Sequence, residues 1–387
     1  MSNTTYLDPP VYNVDLDLPP RQRWKHIALL YRDQMKPLVE YLNDQRKLEL
    51  GIFDTYATGL LSFVNRALLL TSEHKEELLG FADISSSVGM DFKNLLSFNL
   101  GYDFLAYCTS ITTRLGSKEK IPHHLRNMDW DKVIADCLCS LTITVNFQRN
   151  QTTIYKATTW VGMIGILTAM SSKLSLSLNY RHTTEYFGLT KNVLAMFLGW
   201  WPIGLLIRHV LDQNLTFHDT VQQLSNKYIM SPCYLTLTGA SAFEGTLITR
   251  SRTGSINPLC LSTREYIVQT NMDHWVHVTD PLWAGDDSLL LNALERRTQA
   301  EGDLNNYDGH EDYMSFGLNL LSRYPVMNGE TVYQVLMNPS KNIYISRVVI
   351  NPPTKRPDLR HSDLEHLNKG HYQPDSDDRY YLHDHAH

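Results

Sequence analysis

Apolar positions in the first part of the chain recur at a helical period. Trp24, Ile27, Ala28, Tyr31 and Met35 fall three or four residues apart, which predicts a helix with one apolar face before Pro37 interrupts it. Residues 52–71 form a second apolar-rich stretch with few breakers, and 91–107 form a third. The first hundred residues therefore read as mostly helical. From Cys108 the period shortens to two. Leu141 to Phe147 alternates, and so does Leu174 to Leu178. Short runs at 154–160, 234–238, 245–250, 266–271 and 344–350 predict further strands. Helical patterns separate them at 190–211, at 218–228, at 286–298 behind an Asp286 or Asp287 cap, and at 311–323. Helices first and then many strands with helices between predict an α+β sandwich with a mostly antiparallel sheet.

Two stretches depart from this texture. Residues 193–207 (VLAMFLGWWPIGLLI) are apolar throughout but too short to span a bilayer, and Pro202 and Arg208 break and end the run. A buried core helix or a surface helix that touches lipid fits better than a spanning one. The tail 352–387 carries many charges, prolines and histidines and almost no aliphatic residues after Leu367, so it is expected to stay disordered.

Composition narrows the possibilities only a little. The 387 residues carry a formal charge of −6, with 43% hydrophobic and 20% charged residues, as in an ordinary globular protein. Nothing in that charge favours a nucleic-acid partner. The N-terminus has no basic start followed by an apolar core, so no secretory signal is read and a cytosolic protein is expected. Five cysteines are too few and scattered for a disulfide framework, and no His or Cys cluster completes a metal site. No cofactor is expected either.

Cys108 stands where the texture changes, between an apolar helix-like run and a strand-like one. Arg126-Asn127-Met128-Asp129 comes eighteen residues later. A cysteine opening a strand, with a cation and an anion returning on the next, suits an activated thiol, although a lone cysteine also fits a core. The pair His123-His124, beside Pro122, reads as a loop and argues against a Cys–His protease.

The runs Tyr107-Cys108-Thr109-Ser110-Ile111, Arg126 to Asp129, Asn13 to Trp24, Leu141 to Asn150, Glu244-Gly245 with Ile248-Thr249-Arg250, and Gln269 to Trp275 occur in one order over roughly residues 11–350. In them the chain resembles the family of acid ceramidases and N-acylethanolamine-hydrolysing acid amidases, more closely the former. The resemblance implies an N-terminal-nucleophile hydrolase with an αββα sandwich. It implies a helical segment 1–107 released by self-cleavage between Tyr107 and Cys108, and a catalytic domain over 108–351. The activity implied is hydrolysis of the amide bond of ceramide or an N-acylethanolamine through a Cys108 acyl-thioester. The partners implied are the lipid, a transient membrane or micelle contact and the chain's own cleaved segment, in a lysosomal or other acidic compartment. By the same resemblance Arg126 supports the thiolate, Asp129 fixes the α-ammonium or Arg126, and Asn271 donates to the oxyanion. Phe187, Met196, Trp200 and Trp201 are the expected lipid-binding side chains.

The match is incomplete at three places. An Asp-Asp-Arg-Arg run of the family is here Asp286-Asp287-Ser288-Leu289, leaving Arg296 or Arg297, more than two helical turns on, to compensate. A glycine of the family is here Leu125, and Lys191 stands where the amidase carries a glutamate. A catalytically weakened lipid-binding member of the same fold is therefore the alternative expectation.

Overall fold

Period-two segments assemble into two facing sheets, seen in a computed structural model that describes residues 4–49, 72–101, 107–183, 188–275 and 287–354. The strands are β1 (Thr5–Leu7), β2 (Val11–Asp15), β3 (Tyr107–Thr113), β4 (His123–Asp129), β5 (Thr142–Arg149), β6 (Thr152–Trp160) and β7 (Thr168–Ser171). They continue with β8 (Leu174–Tyr180), β9 (Cys233–Gly239), β10 (Gly245–Arg250), β11 (Ser255–Cys260), β12 (Tyr266–Gln269), β13 (Thr331–Asn338) and β14 (Ile343–Ile350). One sheet has six strands in the order β1-β14-β13-β4-β3-β12, and the other has eight in the order β11-β10-β9-β8-β7-β6-β5-β2. All of these pairings are antiparallel except β2 with β5.

Helices cover both outer faces. Lys132–Leu141, Asp287–Asn305 and Tyr313–Ser322 pack on the six-stranded sheet, and Phe217–Asn226 packs on β9 and β10. Covering each sheet on both sides is why the alternation in β8 does not separate inside from outside. Ser175 and Ser177 are as fully buried as Leu176 and Leu178, with the serines turned toward the facing sheet. The space between the sheets is consequently lined with hydroxyls and amides as well as aliphatic groups. Thr238 donates to Thr112 at 2.7 Å and Ser177 to Ser110 at 2.7 Å, joining β9 and β8 to β3.

The segment before Cys108 is less uniformly helical than its pattern suggests. Trp24, Ile27, Ala28, Tyr31 and Met35 are all buried as expected, but Pro37 lies in the first turn of the next helix, Lys36–Glu49, where a missing N–H costs nothing. Before them come β1, which edges one sheet, and β2, which edges the other. Two of the runs that carried the resemblance meet here, because Val11–Asp15 pairs with Thr144–Gln148. A buried ionic cluster strengthens the junction. The Glu77 carboxylate accepts from Trp24 Nε1 at 2.6 Å, Arg23 Nη1 at 2.7 Å and Arg208 Nη2 at 2.9 Å. Arg208 also faces Asp212, which accepts from the Tyr155 hydroxyl at 2.6 Å. Three guanidinium and indole donors on one carboxylate supply the compensation that a buried charge needs.

Residues 190–211 form two helices, not one. Gly188–Phe197 and Ile203–Leu211 are split where Gly199 takes a φ of 73° and Pro202 precedes the second helix. The second is a core helix, as expected for the apolar run, while the first leaves Leu194 exposed, as is Leu198 just past its end. No described helix is long and apolar enough to cross a membrane. The expected helix at 52–71 and the tail from 355 lie outside the described residues.

Candidate active site

Cys108 lies on β3 beside β4, paired with Met128, and its side chain is fully buried. Even-numbered positions of β3 face the other sheet, while odd-numbered ones such as Ile111 face the helices on its outer side. That alternation puts the two sides of Cys108 in different hands.

From the inter-sheet side comes Arg126 of β4. Its Nη2 lies 2.8 Å from Cys108 Sγ and donates to the Leu178 carbonyl at 2.6 Å, while Nη1 donates to Ser110 Oγ at 3.0 Å and Asn179 Oδ1 at 2.5 Å. From the helical side comes Arg296, also fully buried. Its Nη1 donates to the Cys108 carbonyl at 2.7 Å and Thr109 Oγ1 at 3.0 Å, and its Nη2 to Asn271 Oδ1 at 2.8 Å. Asn271 Oδ1 in turn accepts from the Cys108 backbone N–H at 2.9 Å, and Asn271 Nδ2 donates to the Tyr180 carbonyl at 2.9 Å.

Asp129, at the end of β4, is fully buried as well. One oxygen accepts from Thr331 at 2.7 Å, and the other faces Arg296 Nη1 at 3.6 Å. Burial raises its pKa, with Arg296 and the Thr331 hydroxyl opposing. Glu330, next in the chain to Thr331, is pushed up to about 7 by burial and then by the nearby Asp129 charge. The site thus holds two permanently charged guanidiniums against one buried carboxylate. A thiolate at Cys108 would supply the second negative charge that such a buried arrangement lacks.

Of the residues expected from sequence, Cys108, Arg126, Asp129 and Asn271 converge, and Arg126 and Asp129 form no surface pair. Asp129 is engaged with Arg296, and Asn271 presents its carbonyl oxygen, not its amide, to Cys108. Of the two adjacent arginines, Arg296 is the one that reaches Cys108: one helical step of about 100° separates them, and Arg297 is only half-buried. The side chain of Ser288 lies outside the described residues. Leu125, in place of a glycine, is accommodated by another glycine. A Cβ on Gly317 would stand 3.0 Å from Leu125 Cδ2. His123 and His124 are the first residues of β4, contrary to their reading as a loop, since the strand extends through them to pair with Thr113 and Thr112.

Phe187 and the side chain of Met196 lie outside the described residues. Trp200 and Trp201 are half-buried, and their ring contacts run to Tyr228 at 5.2 Å and His209 at 5.0 Å. Lys191 is exposed. Among the described residues no group of three or more His, Cys, Asp or Glu side chains is placed to hold a metal.

The chain is 31% identical over 372 residues to an acid ceramidase of Heterocephalus glaber, a match covering 89% of this chain and 87% of that one. The chain belongs to the acid ceramidase family. An acid ceramidase of Mus musculus matches at 30% identity over 90% of the chain and 88% of the relative. A family model described as the beta subunit of N-acylethanolamine-hydrolyzing acid amidase matches residues 8–63. Among solved structures, a Caenorhabditis elegans N-acylethanolamine-hydrolyzing acid amidase ortholog superposes with a TM-score of 0.51 at 28% identity, covering 60% of this chain and 93% of that one. The fold of this family member is accordingly the α+β N-terminal-nucleophile hydrolase fold.

Proposed function

We propose that this family member is a self-processing lipid amidase with Cys108 as nucleophile. The observation that carries the reading is the excess of buried cation around the Cys108 sulfur, with Arg126 Nη2 at 2.8 Å. In the uncut chain the thiolate attacks the Tyr107 carbonyl. The peptide nitrogen takes up the proton that the thiol gave up and leaves as the α-amine of Cys108, and residues 1–107 are held for a moment as a thioester. Water cleaves that ester, leaving a carboxylate on Tyr107 and a free thiol and amine on Cys108.

The freed amine, with an ordinary pKa of about 7.7–8.0, takes the proton of its own thiol. Asn271 Oδ1, already 2.9 Å from this nitrogen, holds it in place. The thiolate attacks the lipid amide carbonyl, and the leaving amine takes the proton back. Water then releases the fatty acid from the acyl-thioester. Arg126 supports the thiolate and Arg296 anchors the Cys108 carbonyl, while Asp129 holds Arg296. The amide of Asn271 would serve the oxyanion when the substrate carbonyl arrives.

Ceramide and N-acylethanolamines are the substrate classes that the family suggests. A lipid surface suits the helix Gly188–Phe197 and the segment after it, where Leu194 and Leu198 are more than half exposed, as is Tyr228, whose ring meets Trp200.

The deciding experiment is intact-mass measurement of the purified protein. The wild type is expected as two pieces, 1–107 and 108–387, and Cys108→Ala as one. Cleavage of the alanine variant at the same bond would make another protease responsible and remove the ground for the proposal.

A further inference from the structure

Between the sheets, behind Arg126, runs a line of side chains that the proposed chemistry does not use. His124, Ser177, Ser110 and Asn179 are all fully buried, on strands β4, β8, β3 and β8. We propose that Asn179, aligned by this row, is a positioning residue that locks the Arg126 guanidinium onto the Cys108 sulfur. The inference rests on Cys108 being the nucleophile.

The geometry fixes the direction of every hydrogen bond in the row. Asn179 has one amide end toward Arg126 Nη1 and the other toward three carbonyls, those of Cys108 at 3.2 Å, Gln269 at 2.9 Å and Thr270 at 3.0 Å. A guanidinium only donates and a carbonyl only accepts. Asn179 must therefore turn its oxygen to Arg126 and its nitrogen to the carbonyls. An amide oxygen only accepts, so Ser110, at 2.6 Å from it, must donate to it. Ser110 then accepts from Ser177 at 2.7 Å, and Ser177 accepts from His124 Nε2 at 2.7 Å.

Burial and the nearby Arg126 lower the His124 pKa to about 3, so the ring is neutral and carries its proton on Nε2. Its Nδ1 is left to accept from Ser175 Oγ, 3.0 Å away. The negative ends that meet Arg126 Nη1 are the oxygens of Asn179 and Ser110, and His124 and Ser177 fix which way Ser110 donates. With that nitrogen held by Ser110 and Asn179, the planar guanidinium has one orientation, and Nη2 is directed at the sulfur. The same Asn179 amide holds the Cys108 carbonyl, so thiol and guanidinium are referred to a single rigid group.

The other charged or titratable groups near the thiol are Asp129 on β4, Arg296 from the helix Asp287–Asn305, and Tyr333 on β13, whose hydroxyl pKa is raised by burial. Their hydrogen bonds run to groups outside the row, so they are constant across variants of it.

The test is the pH titration of the Cys108 thiolate by its ultraviolet absorbance, with Cys108→Ala as the blank, in wild type, Ser110→Ala, Ser177→Ala and Asn179→Leu. Loss of one hydrogen bond to a charged group is worth about 1.5 kcal/mol or a little over tenfold. Ser110→Ala and Asn179→Leu are expected to move the titration to higher pH and to slow self-cleavage at acidic pH by roughly tenfold. Ser177→Ala, one step removed, should move it less. A titration unchanged in Ser110→Ala and Asn179→Leu, even with lower melting temperatures, would reduce the row to packing. If Asn179→Leu does not fold, the two serine variants decide alone. Absence of self-cleavage in the wild type would instead count against the proposed function, since the titration reads the thiol whether or not the chain is cut.

Discussion

Arg296 and Arg297 are neighbours in sequence with different prospects. Arg296→Ala removes the shorter of two donors on the Cys108 carbonyl and the cation facing Asp129. Self-cleavage should fall roughly a hundredfold or more, as for loss of a preorganised donor in other active sites. Arg297→Ala, on the half-buried flank of the same helix, should cleave at nearly the wild-type rate. Equal losses in the two variants, measured by gel densitometry, would contradict the assignment. Glu330 carries a pH signature. Its pKa rises from 4.5 to about 7 in the folded protein, so the folded state binds this proton more tightly than the unfolded one. Its contribution to stability is full below 4.5 and is lost as pH rises through about 7. The melting temperature of Glu330→Gln relative to wild type should therefore improve between those two limits as pH rises; a constant difference would deny the shift. Cys108, Arg126 and Asp129 were legible because the runs around them carry the family resemblance, and one hairpin then brings all three together. Arg296 was narrowed only to itself or Arg297, and Asn179 was missed, because each reaches the site from an element whose phase only the tertiary fold sets.

Strands with a clean alternation, such as β5 and β6, were readable, and β13 was not. Thr331–Asn338 is buried at every position between β4 and β14, so it shows no polar face to count. Short β2 escaped notice for another reason: its partner lies some 130 residues away, at Thr144–Gln148, and local sequence carries no trace of that pairing. The apolar run at 193–207 has a period that fits one helix, but Gly199 and Pro202 divide it into a buried half and an exposed one. The exposed half yields a prediction. Leu194→Asp combined with Leu198→Asp, on cleaved protein, should lower turnover of long-chain N-acylethanolamines or ceramides in vesicles several-fold, and leave short-chain, water-soluble amides unchanged. Each buried methylene is worth about 0.8 kcal/mol, so wild-type efficiency should also climb steeply with acyl length. A flat chain-length series would sink the lipid assignment, and an equal loss on soluble amides would mean that the helix only supports the fold.

Across the whole molecule, the segment before Cys108 is woven into the rest of the chain. Its strands edge both sheets, and its Glu77 lies under Arg208. Once cut, the two pieces are expected to run together in gel filtration and to part only in denaturant; separate elution under native conditions would show that the contacts are not enough to hold them. The parallel pairing of β2 with β5 has a consequence for refolding. In the uncut chain, the strand that completes the eight-stranded sheet is tethered to its partner strands, and its docking depends on loop closure alone. Were the chain cut as proposed, the same docking would become an encounter between two molecules, with an order of reaction of two and a rate that falls with dilution. The precursor could then recover from denaturation at any concentration, while the mature protein at low concentration would have nowhere to return to. Its lifetime would be set by how slowly it comes apart, not by how favourably it folds.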